Sequence, residues 1–126
     1  MDDNRERLLV VDDDAEVTTL LFDVLEACGY QVTCAANGAE ALTLLRENIY
    51  DLVLTDLNMP FIDGLKLRSV VHDLYPLTAV LLMTGGSNKD FVIPTSLTVI
   101  TKPFSLDTMK NQVRETIANQ KEKKKP

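Results

Sequence analysis

Residues 52–64 read Leu52-Val53-Leu54-Thr55-Asp56-Leu57-Asn58-Met59-Pro60-Phe61-Ile62-Asp63-Gly64. The apolar run at the start of this stretch is typical of a buried strand, and it ends abruptly in the carboxylate of Asp56. Pro60 stiffens the loop that follows, and the pair Asp63-Gly64 turns the chain into the next helix. A carboxylate is seldom buried without a partner, whereas at the tip of a strand it lies in a crevice and is available for chemistry. The rest of the sequence is organised around this strand end.

Strands and helices alternate along the chain on both sides of Asp56. The sequence predicts strands at residues 7–11, 31–34, 52–56, 78–83 and 98–101. The continuous apolar run at 7–11 is typical of a strand covered on both faces, whereas the shorter strand at 31–34 suits an edge of the sheet. The connecting segments have apolar residues at helical spacing, with Asp14, Asn37 and Ser105 as candidate N-caps and Gly29 as a helix stop. This alternation predicts an α/β fold in which a doubly wound parallel sheet carries helices on both faces.

The helical spacing also predicts which side chains face the core. They are Val17, Leu20, Leu21, Val24, Leu25 and Cys28 in the first helix, Ala41, Leu44 and Leu45 in the second, Leu67, Val70, Val71 and Leu74 in the third, and Leu106, Met109, Val113 and Ile117 in the last. The segment 87–97 has room for two helical turns at most, because Pro94 interrupts it. Cys28 and Cys34 fall in apolar patterns and are interpreted as buried free thiols in a reducing compartment.

Length and charge limit the possible functions. The chain of 126 residues has the size of one domain. Its formal net charge is −6, and the net charge of +3 on residues 121–125 leaves −9 on the remainder. A body this acidic argues against direct binding of DNA or RNA, which requires a basic face. We interpret residues 1–119 as the domain and residues 120–126 as a lysine-rich tail or linker, although this tail could also touch an acidic surface.

The sequence shows no sign of a membrane segment or a signal peptide. No apolar run reaches membrane-spanning length, and the polar residues 1–6 are unlike a signal peptide. We therefore expect a cytoplasmic domain that has no membrane partner.

Polar side chains stand at the carboxyl ends of four of the five predicted strands. Asp12 and Asp13 follow the first strand, Asp56 ends the third, Thr84 follows the fourth and Lys102 follows the fifth. Ligands of open parallel sheets bind beyond this edge, near the point where strand order reverses. Three adjacent carboxylates raise one another's pKa unless a cation lies among them, and all-oxygen ligands suit Mg²⁺. Such a site, facing a lysine and a hydroxyl, is equipped to accept a phosphoryl group.

Four stretches of the sequence carry a family resemblance. They are Val10-Val11-Asp12-Asp13, Asp56 with Met59-Pro60 and Asp63-Gly64, Thr84, and Lys102-Pro103-Phe104. In this order they make the chain resemble a receiver domain of the bacterial response regulators of two-component systems, over roughly residues 6–119. The resemblance implies a flavodoxin-like sheet of five parallel strands in the order 2-1-3-4-5, as in chemotaxis regulators.

The resemblance also implies a phosphoacceptor and a metal site. Asp56 would accept a phosphoryl group from a phosphohistidine on a sensor histidine kinase or a histidine phosphotransfer protein. Asp13, Asp56 and the backbone carbonyl of Asn58 would ligate Mg²⁺ directly, and Asp12 would assist through a water molecule. The domain would catalyse only its own phosphorylation and dephosphorylation, and an effector domain or target protein would read its conformation.

Further site residues follow from the same resemblance. Lys102 would pair with the phosphoryl oxygens, Thr84 would hydrogen-bond one of them, and the Lys102-Pro103 bond would be cis. Asn58 and Gly86 stand where members of the family tune hydrolysis of the acyl phosphate. Because Gly86 has no side chain, it would neither obstruct nor orient the attacking water.

The sequence departs from the family at two places. Val99 stands three positions before Lys102, where receivers usually carry an aromatic residue that rotates on phosphorylation. The segment between Thr84 and Lys102 is several residues short, which predicts a shortened or irregular fourth helix. We therefore expect the phosphorylation chemistry to survive while its readout is altered.

Three other functions compete with that of a phosphoacceptor. An aspartyl phosphatase would need a second acid where Asp56-Leu57-Asn58 has none, together with a cap domain. A nucleotide- or flavin-binding module would need a glycine-rich phosphate loop after the first strand, where the chain is acidic. An adaptor that keeps the receiver fold without being phosphorylated stays open as the alternative. His72, among charged residues of the third helix, is interpreted as a surface side chain.

Overall fold

The computed structural model describes residues 4–85 and 93–124. Within these residues the chain forms five strands and four helices. Their order and bounds are β1 Arg7–Val11, α1 Ala15–Ala27, β2 Gln31–Ala35, α2 Gly38–Glu47, β3 Leu52–Asp56, α3 Gly64–Leu74, β4 Ala79–Thr84, β5 Val99–Thr101 and α4 Leu106–Lys124. The strands lie in the order β2-β1-β3-β4-β5, and each neighbouring pair is parallel. The expected doubly wound sheet with order 2-1-3-4-5 is confirmed.

The core consists of two layers, one on each face of the sheet. Because successive strand side chains point to opposite faces, Leu8 and Val10 of β1 pack in one layer while Leu9 and Val11 pack in the other. The first layer includes buried residues of α1 and α4, and the second includes buried residues of α2 and α3. All five residues of β3 are buried. The sheet therefore holds Asp56 at the end of its most central strand.

Helix caps fix where each helix begins. The side chain of Asp14 accepts a hydrogen bond from the backbone N–H of Glu16, and Asn37 accepts one from Glu40 at the start of α2. Ser105 accepts the backbone N–H of Thr108 at 3.0 Å before α4. Each bond satisfies a donor that the first helical turn leaves without an internal partner. The three predicted N-caps are confirmed.

Four side chains predicted to face the core are exposed instead. Leu20, Leu74 and Leu106 are 46%, 66% and 40% exposed, and Cys28 is exposed as well. Leu20 lies about 100° around the helix from the fully buried Leu21. The other three lie at helix ends: Leu74 closes α3, Leu106 opens α4 and Cys28 follows α1. The predicted apolar faces of these helices were therefore wider and longer than the faces that are buried.

Cys34 differs from Cys28, because it is half-buried in β2. Its thiol donates to the carbonyl oxygen of Thr18 at 3.7 Å, and burial raises the pKa of this thiol. His72 is exposed on α3, as predicted.

Some predictions concern the ends of the described ranges. Residues 86–92, which include Gly86, lie outside the described residues, so the shape of the fourth-helix segment and the role of Gly86 stay predictions. Residues 94–97 form a turn in which the N–H of Leu97 donates to the carbonyl of Pro94 at 3.0 Å. α4 continues to Lys124, past the predicted start of the tail at residue 120.

Among the helices of the described ranges, none combines the length and apolarity that crossing a membrane requires.

Candidate functional site

The carboxyl edge of the sheet brings together the ends of β1, β3 and β4. Val11 pairs with Thr55 in register, so Asp12 and Asp56 come next on adjacent strands. Asp56 in turn pairs with Met83, one residue before Thr84. The parallel register therefore places three of the predicted strand-end residues on neighbouring strands.

Three carboxylates meet at this edge. One oxygen each from Asp12, Asp13 and Asp56 lies within 4.8 Å of the others. Asp12 and Asp56 are buried, whereas Asp13 is exposed, so the cluster opens to solvent on one side only. Oxygen ligands at such separations, partly open to water, are the donor set that Mg²⁺ prefers. The residues fit a divalent cation.

Lys102 supplies the positive charge of the cluster. Its Nζ donates to Asp12 Oδ2 at 2.8 Å and to Asp56 Oδ1 at 3.2 Å. The backbone N–H of Lys102 donates to the carbonyl oxygen of Thr84 at 2.6 Å, and the Lys102-Pro103 peptide is cis, as expected. Gly85 leaves room for the lysine stem, because a Cβ there would lie 3.1 Å from Lys102 Cδ. The end of β4 thus holds the lysine over both buried carboxylates.

The charges at this edge shift the pKa of both ion-pair partners. Burial and then the charge of Asp12 raise the pKa of Asp56, the Lys102 ammonium opposes the rise, and the charge of Asp13 adds to it. For Lys102, burial by itself lowers the pKa, but the hydrogen bond to Asp12 and the charges of Asp12 and Asp56 outweigh burial and raise it. When all three carboxyl groups are ionised, Lys102 neutralises one negative charge, and a divalent cation would neutralise the other two.

The loop after β3 is held close to Asp56. The N–H of Gly64 donates to the carbonyl of Leu57 at 2.9 Å, which joins the two ends of the loop. A Cβ at Gly64 would lie 2.5 Å from the carbonyl oxygen of Asp56, so only glycine fits this position. Asp63 caps α3 by accepting the N–H of Lys66 at 2.8 Å. The helix cap by Asp63 and the close approach of Gly64 to the Asp56 carbonyl are the structural reasons for the Asp-Gly sequence.

Two predicted site residues have roles that the described contacts leave open. Asn58 is exposed two residues after Asp56, and its carbonyl as a metal ligand stays a prediction. Thr84 is 2% exposed at the end of β4, and its hydroxyl as a phosphoryl contact stays a prediction too. By contrast, the direct hydrogen bond of Asp12 to Lys102 was not predicted from the sequence. The feature that could have indicated this hydrogen bond is the position of Asp12 directly after the four buried residues of β1.

Comparisons with known proteins find relatives that match most of the chain. The model of the response regulator receiver domain matches residues 8–114. The response regulator receiver protein CpdR of Brucella abortus is 33% identical over 116 residues, which cover 89% of this chain and 97% of CpdR. The transcriptional regulatory protein ZraR of Klebsiella oxytoca is 34% identical over the same length, but the chain spans only 26% of ZraR.

A solved structure also resembles the chain. The response regulator protein TrrA of Thermotoga maritima, solved in complex with Mg(2+)-BeF, superposes with a TM-score of 0.79 at 31% identity. The match covers 88% of this chain and 98% of TrrA.

Proposed function

The chain belongs to the response regulator receiver domain family, and from this premise we propose that Asp56 accepts a phosphoryl group from the phosphohistidine of a partner. Receivers are the signalling domains of two-component systems, and the partner would be a sensor histidine kinase or a histidine phosphotransfer protein. The observation that carries the proposal is the convergence of Asp12, Asp13 and Asp56 with the Lys102 amine at one sheet edge.

The transfer exchanges one bond to phosphorus for another. A carboxylate oxygen of Asp56 forms the new bond to phosphorus while the bond between phosphorus and the histidine nitrogen breaks. The imidazole nitrogen leaves and takes up a proton, and Asp56 becomes an acyl phosphate. Lys102, 3.2 Å from Asp56 Oδ1, is placed to neutralise charge on the phosphoryl oxygens. Asp12 keeps the ammonium in place through its 2.8 Å hydrogen bond.

We propose that Mg²⁺ is the cofactor. Asp13, Asp56 and the Asn58 carbonyl would hold it directly, and Asp12 would hold it through water. The carboxylate oxygens within 4.8 Å of one another support this assignment, and TrrA was solved with Mg(2+)-BeF. When bound, the metal supplies positive charge that neutralises the transferring oxygens.

The readout of phosphorylation is proposed to be weak. Val99 is half-buried at the start of β5, where an aliphatic side chain replaces the aromatic switch. The Thr84 carbonyl and the Lys102 N–H still couple the ends of β4 and β5. Converting a mostly inactive ensemble into a mostly active one requires about 5.5 kcal/mol of differential stabilisation. We expect a smaller shift here, read by an effector domain or target protein in the cytoplasm.

Intact mass after incubation with acetyl phosphate and Mg²⁺ tests the proposal. The parent should gain one phosphoryl group when Mg²⁺ is present, and it should gain none when Mg²⁺ is chelated before the incubation. Asp56→Asn should gain none. Asp63→Asn is the matched control, because it makes the same change on the same loop and Asn also serves as an N-cap.

Failure of this experiment would favour the adaptor function. If the parent gains no phosphoryl group from acetyl phosphate or a phosphohistidine protein, and binds no beryllofluoride, the phosphoacceptor proposal is wrong. A receiver fold regulated by protein contacts alone would then be the leading function. An adduct that persists in Asp56→Asn would instead show that another residue is the acceptor.

A further inference from the structure

Phe61 combines two features that disfavour it in the free protein. Its φ angle is +68°, the only positive value for a non-glycine residue in the described ranges. A bulky L-residue pays a steric penalty in this left-handed region, which Gly and Asn tolerate far better. The phenyl ring is also fully exposed to solvent. Neither the backbone nor the packing of the described chain therefore explains an aromatic residue at this position.

The loop that carries Phe61 is anchored on both sides of the ring. Met59, two residues before, is 8% exposed and packs in the second core layer. Ile62, one residue after, packs against Gly38, where a Cβ would lie 2.7 Å from Ile62 Cβ. The N–H of Ile62 also donates to the carbonyl of Pro60 at 2.8 Å, which closes a tight turn around Phe61. Contacts on both sides of Phe61 therefore hold the backbone that carries the exposed ring.

The position of this loop indicates what the ring would meet. Residues 58–64 begin two positions after Asp56 and return to Leu57 through the Gly64 N–H, so Phe61 is the midpoint of a loop at the acceptor edge. The side chain of Asp56 is only 9% exposed. A protein that brings a histidine into bonding distance of this carboxylate must therefore cover the edge and the loop beside it. An effector or a second copy of the chain has no such requirement.

We propose that Phe61 is the aromatic anchor through which the phosphohistidine-bearing donor protein docks on this chain. The inference rests on the proposed function and names the surface that the donor uses. The donor would present an apolar pocket next to its histidine, because a rigid aromatic side chain binds such a pocket with little loss of conformational entropy. The left-handed backbone at Phe61 is then tolerated because it points the ring outward.

The test compares a small donor with protein donors. Parent, Phe61→Asn, Phe61→Tyr and Ile49→Ala are each phosphorylated by acetyl phosphate, and then by every autophosphorylated histidine kinase and phosphotransfer protein of the source organism. Asn suits the left-handed backbone while removing the ring, so it separates docking from loop geometry. Ile49 is the matched control, because it is 83% exposed in the loop before β3, at the opposite edge of the sheet.

The expected result is a loss confined to protein donors. Removing an anchor of this kind should lower kcat/KM for transfer from the best protein donor about 30-fold, mostly through KM. Phe61→Tyr and Ile49→Ala should remain near the parent rate. Acetyl phosphate needs no docking surface, so it should label the Asn variant at the parent rate. The melting temperature of the Asn variant should equal or exceed that of the parent.

Several outcomes would overturn the inference while leaving the proposed function intact. They are equal transfer to the parent and to Phe61→Asn, and a loss with acetyl phosphate as large as the loss with the protein donors. Labelling of the parent by acetyl phosphate but by no protein of the organism would overturn both the inference and the phosphohistidine donor of the proposed function. If Phe61→Asn sediments differently from the parent, the ring instead mediates a contact between copies of the chain. If acetyl phosphate and the protein donors all fail to label the parent, the proposed function itself fails.

Discussion

The two edges of the sheet use the same strands for opposite purposes. At the amino edge, where the strands begin, polar side chains are paired with partners of matching character. The N–H of Arg7 donates to Asp51 Oδ2 at 2.8 Å, and its guanidinium donates to Asn48 Oδ1 at 3.2 Å while lying 5.3 Å from the centre of the Tyr50 ring. The hydroxyl of Thr78 donates to the Tyr50 carbonyl at 2.8 Å. This edge ties the strand starts to the neighbouring loops.

The carboxyl edge, by contrast, collects like charges. Asp12 and Asp56 share the ammonium of Lys102, Asp13 adds a third carboxylate beside them, and two of the three carboxylates are buried. Buried carboxylates without enough positive charge reduce folding stability, and they bind cations for the same reason. The comparison teaches that the amino edge contributes stability, whereas the carboxyl edge gives up stability for a binding site. Four changes test this difference.

Gly64→Ala should have the largest effect, because it forces backbone at the carboxyl edge to move. The new Cβ would lie 2.5 Å from the Asp56 carbonyl oxygen and 2.8 Å from Leu57 Cα. We expect a loss of about 3 kcal/mol in the free energy of unfolding, measured by urea denaturation, and slower labelling by acetyl phosphate.

Gly29→Ala is the control for this change. Gly29 has a φ of +97°, but a Cβ there would meet nothing within 4 Å. Its cost should be limited to backbone strain of about 1 kcal/mol, with unchanged labelling. Equal losses in the two variants would show that crowding at Asp56 is not what requires glycine at position 64.

Lys102→Met should destabilise the protein in a manner that Mg²⁺ reverses. Removing the ammonium leaves the buried carboxylates of Asp12 and Asp56 facing each other, at a cost of about 2 kcal/mol by urea denaturation without metal. Millimolar Mg²⁺ should recover much of this loss, because a cation bound only to the folded state stabilises it. Arg7→Met at the amino edge should also lose stability, but Mg²⁺ should not restore it. If Mg²⁺ does not reduce the stability loss of Lys102→Met, the explanation by unpaired buried charge is wrong.

Thr78→Val should weaken the amino edge without touching the site. The variant deprives the Tyr50 carbonyl of its 2.8 Å hydroxyl donor at similar side-chain volume, which should cost about 1 kcal/mol in thermal or urea unfolding. Labelling of Asp56 should keep its rate. Thr43→Val, the same change on the exposed face of α2, should cost less than about 0.5 kcal/mol. Slower labelling in Thr78→Val would mean that the two edges are coupled.

Asp56→Asn should have the smallest effect on stability, and in the opposite direction. Burial and Asp12 raise the pKa of Asp56, so the folded state holds this proton more tightly than the unfolded state. The parent therefore loses stability as pH rises from the unfolded pKa of Asp, about 3.9, through the higher folded value. The variant lacks this loss and should exceed the parent by more than about 0.5 kcal/mol at pH 7 without Mg²⁺.

The pH dependence distinguishes this stabilisation from a general effect of removing charge. Near pH 3 the advantage of Asp56→Asn should vanish, because Asp56 is then protonated in both states. Asp23→Asn, which removes an exposed charge on α1, should change stability little at either pH. Urea unfolding at the two pH values measures the difference, and an advantage that persists at pH 3 would refute the electrostatic explanation.

Much of the fold could be predicted because it depends on local patterns. The run from Leu52 to Asp56 identified the central strand, and the caps Asp14, Asn37 and Ser105 were confirmed at the predicted residues. The wrong predictions lie where the apolar spacing of a helix continues beyond the surface against which the helix packs. Leu74 has the spacing of a core residue but lies on the last residue of α3, where it is 66% exposed. Spacing specifies a direction around a helix, whereas burial also requires a neighbouring surface.

The site was predictable in composition but not in geometry. That Asp12, Asp13, Asp56 and Lys102 end their strands is visible in the sequence, and a parallel sheet brings strand ends to one edge. The hydrogen bonds of Lys102 to both Asp12 and Asp56 depend on how β5 lies beside β4, because Lys102 is 90 residues from Asp12 and 46 residues from Asp56 along the chain. The loop that carries the left-handed Phe61 likewise meets a distant segment, because Ile62 packs against Gly38. These contacts join segments that no local pattern relates.

Local sequence patterns specify the alternation of strands and helices, the placement of the acids and the lysine at strand ends, and the family resemblance. Each of these depends on residues close together in the chain, where side-chain periodicity and capping act directly. The folded structure was needed to show that one ammonium pairs with two buried carboxylates, that Asp13 is exposed to water, and that a phenyl ring is exposed on the loop beside the acceptor. The reason is that distances and burial depend on which distant segments pack together, and packing is a property of the whole fold.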